Sequence, residues 1–200
     1  MATRRDQFKR VEVKNLKELR TWLSKNHKQT DSVWLVTYKK QAGDKYLAKD
    51  DIVDEALCWG WIDSLPRKLD DERTMVMLSP RKLTSVWSRI NKDKVSRLER
   101  AGRMRPAGRH KIDAAKANGM WDFLDDVEAM IKPADLVEAL AEHSKAAANF
   151  DAFPAASQKG ILQWIKQAKK LKTRQKRVAE TARLAAKNIM ANHPPSMRQR

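Results

Sequence analysis

The sequence predicts an α+β protein: a small mixed β-sheet with packed helices in the amino-terminal half, and a helical carboxy-terminal half. Apolar residues recur with strand-like spacing in SVWLVTYKK, WIDSLPRKL and RTMVMLS, all before Pro80, and at helical spacing after it. Gly102, Pro106, Gly119, Pro133 and Pro154 cut that second half into separate helices. A chain of 200 residues buries roughly 70% of the surface that it exposes unfolded, enough for a substantial core. The expected division is an α+β domain over 1–120, a helical region packed on it over 121–192, and a flexible tail over 193–200.

Taken in order, Phe8, Val11 and Val13 suggest a short first strand. Asn15 then caps a helix carrying Leu16, Leu19, Trp22 and Leu23 on one face. The run SVWLVTYKK is the second strand, closed by a turn at Gly43-Asp44. Asp50 and Asp51 complement the dipole of a helix that carries Ile52, Val53, Ala56 and Leu57 to a stop at Gly60. WIDSLPRKL and RTMVMLS are two strands joined by the acidic turn Asp70-Asp71-Glu72. Thr84 or Ser85 opens a helix ending at Gly102, and a second runs from Pro106 to Gly119. Pro133 starts another, and Pro154 opens a last helical region reaching Ile189. There is no internal repeat.

The 42 Lys and Arg against 25 Asp and Glu give a formal charge of +17, which favours anionic partners and says nothing of fold. The charge is segmental, positive over 1–40, 81–120 and 161–200 and negative between. Cys58 is the one cysteine, so no intramolecular disulfide forms, and its apolar neighbours point to a buried, inert thiol. No apolar run has signal-peptide or membrane-span length, so a cytoplasmic protein without a transmembrane segment is expected. His27, His110, His143 and His193 are isolated from one another, so neither a metal nor a cofactor is expected.

The densest chemistry lies between Leu57 and Asn91, where three of seven tryptophans crowd with Asp63, Arg67, Asp70, Arg73 and Arg81. A regular strand over WIDSLPRKL places Trp61, Asp63, Leu65 and Arg67 on one face. Two accounts fit: a structural ion-pair network beside the tryptophans, or a polar cluster in a pocket walled by Trp59, Trp61 and Trp87. Arg81 and Lys82 precede Thr84 and Ser85 at the expected helix start, where free N–H groups would hold a phosphate or carboxylate. Asn91 and Lys92 would extend that site. An ordinary N-cap with solvated cations fits the same residues.

The order ALCWGWIDS, RKLD, SPRK, SVWSRIN, GRMRPAG and AKANGMWD, with the carboxy-terminal run from Phe153-Pro154 through Ile161-Leu162-Gln163-Trp164-Ile165 to Thr173-Arg174-Gln175-Lys176-Arg177, resembles the YdeI/OmpD-associated, bacteriocin-protection family. Trp59 stands where relatives usually have Phe. The resemblance runs from about residue 8 to 190. It implies a link to stress or antimicrobial-peptide resistance, attaches no reaction, and supports Arg81, Ser85, Asn91 and Lys92 as binding residues.

The candidate ligand-binding set is therefore Trp59, Trp61, Asp63, Arg67, Arg73, Arg81, Ser85, Trp87, Asn91 and Lys92, for an anionic or phosphorylated small molecule. Two alternatives stand beside it. The basic segments 89–111 and 166–187 would track nucleic-acid phosphates nonspecifically, unless they are only solvated helix faces. An enzyme would use Asp63 as acid or base with Arg67 and Arg81 holding an anionic substrate, although no recognised catalytic motif is present.

Overall fold

The computed structural model describes residues 4–193. The expected tail therefore lies, apart from His193, outside the described residues. The chain forms two compact units, Met1–Phe123 and Leu124–Arg200.

The first unit is built on β1 (Arg10–Glu12), β2 (Val33–Tyr38), β3 (Trp61–Lys68) and β4 (Arg73–Pro80), with helices α1 (Leu16–Asn26), α2 (Lys49–Cys58), α3 (Arg89–Arg100) and α4 (Pro106–Ala117). The strand order is β1-β2-β4-β3. β1 runs parallel to β2, with α1 as the crossover, and the other pairings are antiparallel. Asn15 caps α1 as expected, its side chain accepting from the Glu18 N–H at 2.9 Å, while Glu18 accepts from the Lys14 N–H. The acidic link between β3 and β4 is closed by Asp70, whose Oδ1 accepts the N–H groups of Glu72 and Arg73.

One sheet face meets α1 and α2 through Val11, Leu19, Leu23, Leu35, Ile52, Ala56, Trp61 and Leu78. The opposite side of α2 packs on α3 and α4 through Val53, Leu57, Cys58, Val95, Leu98 and Ile112. α2 is thus buried on two sides. The second sheet face buries Trp34, Val36 and Met75, with Phe8, Leu69 and Met77 against them. Phe8 is therefore a cover for the sheet and not part of its first strand.

β3 is not a regular strand. Asp63 stands opposite Leu78, but Pro66 stands opposite Val76, so three steps on β3 match two on β4. This one-residue bulge reverses the alternation. Asp63 shares the face of Leu78, whereas Arg67, opposite Met75, lies on the other face with its guanidinium over Trp34 at 5.3 Å. The expected common face of Asp63 and Arg67 is corrected accordingly.

The second unit holds α5 (Asp125–Glu128), α6 (Ala134–Ala141), α7 (Ala146–Ala152), α8 (Ala155–Lys166) and α9 (Leu171–Ala185). Pro133 and Pro154 are the N-cap residues of α6 and α8. α9 packs against α6, α7 and α8, and buries Val178, Thr181, Ala182, Leu184 and Ala185. Arg174 is tied to Asp135 at 2.7 Å and Lys166 to Asp126 at 2.5 Å, so part of the basic segment 166–187 is already neutralised by its own unit. No helix among the described residues is long and apolar enough to cross a membrane.

Candidate functional site

After Pro80 the chain does not enter a helix. The expected start at Thr84 or Ser85 is replaced by an irregular loop, and the cap is Ser88, whose Oγ accepts from the Asn91 N–H at 3.4 Å. Tertiary tethers outweigh local propensity here. The Trp87 N–H donates to the Met120 carbonyl, Asn118 Nδ2 donates to the Leu83 carbonyl at 2.9 Å, and the Trp87 ring is buried among α2, α3 and α4. Ser85 donates its N–H to Lys82 in a turn and is not at a helix N-terminus. The expected anion site on free N–H groups at Ser85 does not form.

What the loop does hold is Arg81. Its N–H donates to the Gly60 carbonyl at 2.9 Å, which pins the residue beside the start of β3. Its side chain, in a residue 1% exposed, lies with the guanidinium carbon 3.5 Å from the centre of the Trp87 ring. Nη2 donates to the Val86 carbonyl at 2.6 Å, but Nε and Nη1 have no partner among the described residues. Burial lowers its pKa to about 10, which leaves it cationic at neutral pH. Trp87 in turn packs against Trp121, the rings tilted by 46° with centroids 5.0 Å apart, and the ammonium groups of Lys92 and Lys116 stand 5.5 and 5.3 Å from the Trp121 ring. Lys92 also pairs with Asp122 at 3.2 Å. Three cations thus lie against two tilted, contacting indoles. Arg81, Trp87 and Lys92 are brought into one neighbourhood by the loop and the first turn of α3, while Asn91 contributes its N–H to the Ser88 cap.

The remaining candidates go elsewhere. Trp61 is fully buried, donates Nε1–H to the His27 carbonyl and meets Trp22 edge-on at 5.6 Å, so it is core. Trp59 donates to Glu55 and stacks on His27 at 5.0 Å. Asp63 pairs with Lys49 at 3.9 Å, and Arg67 with Asp6 at 2.7 Å on the other sheet face. Arg73 pairs with Asp70 and Glu12 at the far end of β4 from Pro80. Seven strand steps of about 3.3 Å put it roughly 20 Å from the Trp61 end. Arg67 and Arg73 therefore share the sheet face opposite to Asp63, and Arg73 lies at the far end of β4 from Arg81.

Sequence reasoning missed the buried acids. Asp54 and Glu55, one turn on from Asp50 and Asp51, are 3% and 2% exposed and hold four cations. Arg97 and Lys94 bind Asp54 at 2.6 and 3.3 Å, while Arg20 and Arg103 bind Glu55 at 3.0 and 3.3 Å. Burial alone would raise the Glu55 pKa, but the hydrogen bonds from Arg20, Trp59 and Arg103 bring it below the ordinary value. The signal available was a pair of acids inside an apolar helix stretch. Every acid of this network is paired, which makes it a structural clamp between α1, α2 and α3. Among the described residues no group of His, Cys, Asp and Glu is arranged to hold a metal.

Two families match this chain. One, described as Domain of unknown function (DUF8412), matches residues 11–111, and another, described as Bacteriocin-protection, YdeI or OmpD-Associated, matches residues 129–188. The WGWIDS, SPRK and SVWSRIN motifs fall in the first match and the α6 to α9 segment in the second. Neither the curated proteins nor the solved structures returned a match.

Proposed function

We propose, for a chain that belongs to the DUF8412 family through residues 11–111 and whose residues 129–188 match the family described as Bacteriocin-protection, YdeI or OmpD-Associated, that it binds an anionic or phosphorylated small molecule at Arg81. One observation carries the reading: a guanidinium on a 1%-exposed residue with Nε and Nη1 unpartnered. Leaving a charge buried and unpaired costs several kcal/mol. The Trp87 face returns about 2 kcal/mol of that, so the site is short of a counter-charge. A phosphate or carboxylate supplies it, since both accept from planar guanidinium N–H groups. Lys116 on Trp121 adds attraction of the same sign, while Lys92 is already paired with Asp122. Access comes through the loop 81–88, which has no ladder hydrogen bonds and an exposed Leu83 at its turn. The reading takes the protein to be cytoplasmic, with protection against antimicrobial peptides as its setting.

The test is thermal unfolding in phosphate, sulfate and small organic phosphates against chloride at equal ionic strength. A ligand at about a hundred times its Kd stabilises by roughly 2.7 kcal/mol. Arg81→Met removes that response while leaving the ligand-free protein as stable as before or more so, because an apolar group replaces an unpaired buried cation. Absence of any anion-specific shift, or an undiminished shift in Arg81→Met, refutes the reading.

A further inference from the structure

On the face packed by α1 and α2, Leu35 and Val76 pack with Ile52, and the next pair, Thr37–Thr74, lines a cavity at this end of the sheet. A short 3-10 segment, Lys40–Lys45, turns at Gly43 (φ 57°) and returns Tyr46 to pair with Tyr38, and the following Leu47 forms part of the cavity wall. The β3 bulge turns Pro66 onto the same face, opposite Val76. The result is a cavity of about 370 Å³ whose lining includes Thr37, Leu47, Ile52, Pro66, Thr74 and Val76. This volume lies within the range of about 300–1,000 Å³ typical of small-molecule sites.

The wall is mainly hydrocarbon, and the charge at its edge is lopsided. Lys39, Lys40 and Lys49 all line it. The acid at hand is Asp63, 3.9 Å from the Lys49 ammonium on a side chain that is 79% exposed. Lys49 is also placed against electrostatic preference, because a cation in the first turn of a helix opposes its dipole. An occupant with an apolar body and one anionic end satisfies both halves of the cavity.

We propose that this cavity is a second ligand site, separate from Arg81, which takes an amphipathic carboxylate: an apolar chain against Ile52, Pro66 and Val76, and a carboxylate on Lys49. At about 30 Å³ per water-sized group the cavity holds roughly a dozen heavy atoms, the size of a ten-carbon fatty carboxylate. Asp63 competes with the ligand for Lys49.

The experiment is calorimetric titration of the whole chain with sodium decanoate below its micelle concentration, with decan-1-ol and acetate in parallel. Decanoate binds saturably at one site, decanol more weakly and acetate not at all. Lys49→Ala weakens decanoate by roughly two- to fivefold, the range of an exposed ion pair, and leaves decanol unchanged. Asp63→Asn, which releases Lys49, tightens decanoate, and Val76→Phe, which fills the cavity, abolishes both ligands. Arg81→Met leaves decanoate binding intact, so this site and the Arg81 site stand or fall separately. Absence of decanoate binding to the unaltered chain, or equal affinity in the parent, Lys49→Ala and Asp63→Asn proteins, overturns the proposal. Lys49→Ala and Asp63→Asn alter side chains outside the packed core, so their result does not depend on how well Val76→Phe folds.

Discussion

Replacing Gly108 by alanine sets two effects of known sign against each other. In an open helix the change stabilises by about 0.5–1 kcal/mol, because glycine loses more backbone freedom on folding. At Gly108 of α4, however, a Cβ would lie 2.4 Å from the Cys58 carbonyl oxygen, 2.7 Å from that of Leu57 and 2.8 Å from Met104 Cε. The two oxygens are backbone at the end of α2 and cannot swing aside. Both already accept hydrogen bonds, Cys58 O from the Arg105 N–H and Leu57 O from the Gly60 N–H, so displacing them strains the turn that leads into β3. Overpacking of this kind costs about 1–3 kcal/mol or more. The cost wins, and Gly108→Ala is destabilised by about 1–2 kcal/mol net. Urea unfolding followed by tryptophan fluorescence reads this as a midpoint lowered by roughly 0.5–1 M for an m value of about 2 kcal/mol/M. Gly160→Ala in α8, where a Cβ meets nothing within 4 Å, is the control and gains up to about 1 kcal/mol. A Gly108→Ala midpoint at or above the parent's would show that α4 does not sit this close to α2, and would refute the reasoning.

Three further outcomes are expected. Ser88→Ala costs about 1 kcal/mol in urea unfolding by removing the α3 cap, while Ser85→Ala costs far less, and the reverse order would restore the earlier helix start. The Glu55 carboxyl is held below its ordinary pKa, so its contribution is present above the ordinary carboxylate range and lost as pH falls through and below it; Glu55→Gln loses about 2 kcal/mol at neutral pH and has a shallower stability loss between about pH 5 and 3. A titration of the same steepness in both proteins would count against the clamp. Burial pushes the Cys58 thiol up to about 11, so at pH 8 a disulfide reagent labels it only as the fold opens, and labelling within seconds in native buffer would contradict its burial.

Much of the fold was legible where local chemistry is unambiguous. Asn15 announces α1, the acidic run from Asp70 announces the β3–β4 turn, and Pro133 and Pro154 mark the starts of α6 and α8. The site was less legible, for identifiable reasons. Thr84, Ser85 and Ser88 all suit an N-cap, and the choice among them was made by Met120 and Asn118, about thirty residues away. Simple alternation assigns Arg67 to the face of Asp63, and only the bulge, which has no compulsory residue type, sends it to the other. Asp54 and Glu55 find partners at positions 20, 94, 97 and 103, which no spacing rule connects. The cavity beside Thr37 is walled by residues of β2, β3, β4 and the segment 46–52, a property of several elements together and of no one stretch of sequence.

The strand order has a consequence for synthesis. β4 is the last strand of the sheet to be made, yet it lies between β2 and β3 and bonds to both. While residues 39–80 are still being added, VWLVTY can be paired on the β1 side alone, with residues of both its faces destined for burial. At about 5–20 residues per second that interval is roughly 2–8 s, far longer than the microseconds a hairpin needs to form. The short four-residue link favours closure of the β3–β4 hairpin before the longer-range pairing of β4 with β2. Before that pairing, the nascent chain carries its most aggregation-prone segment with one side unprotected, and this is where a chaperone would engage it.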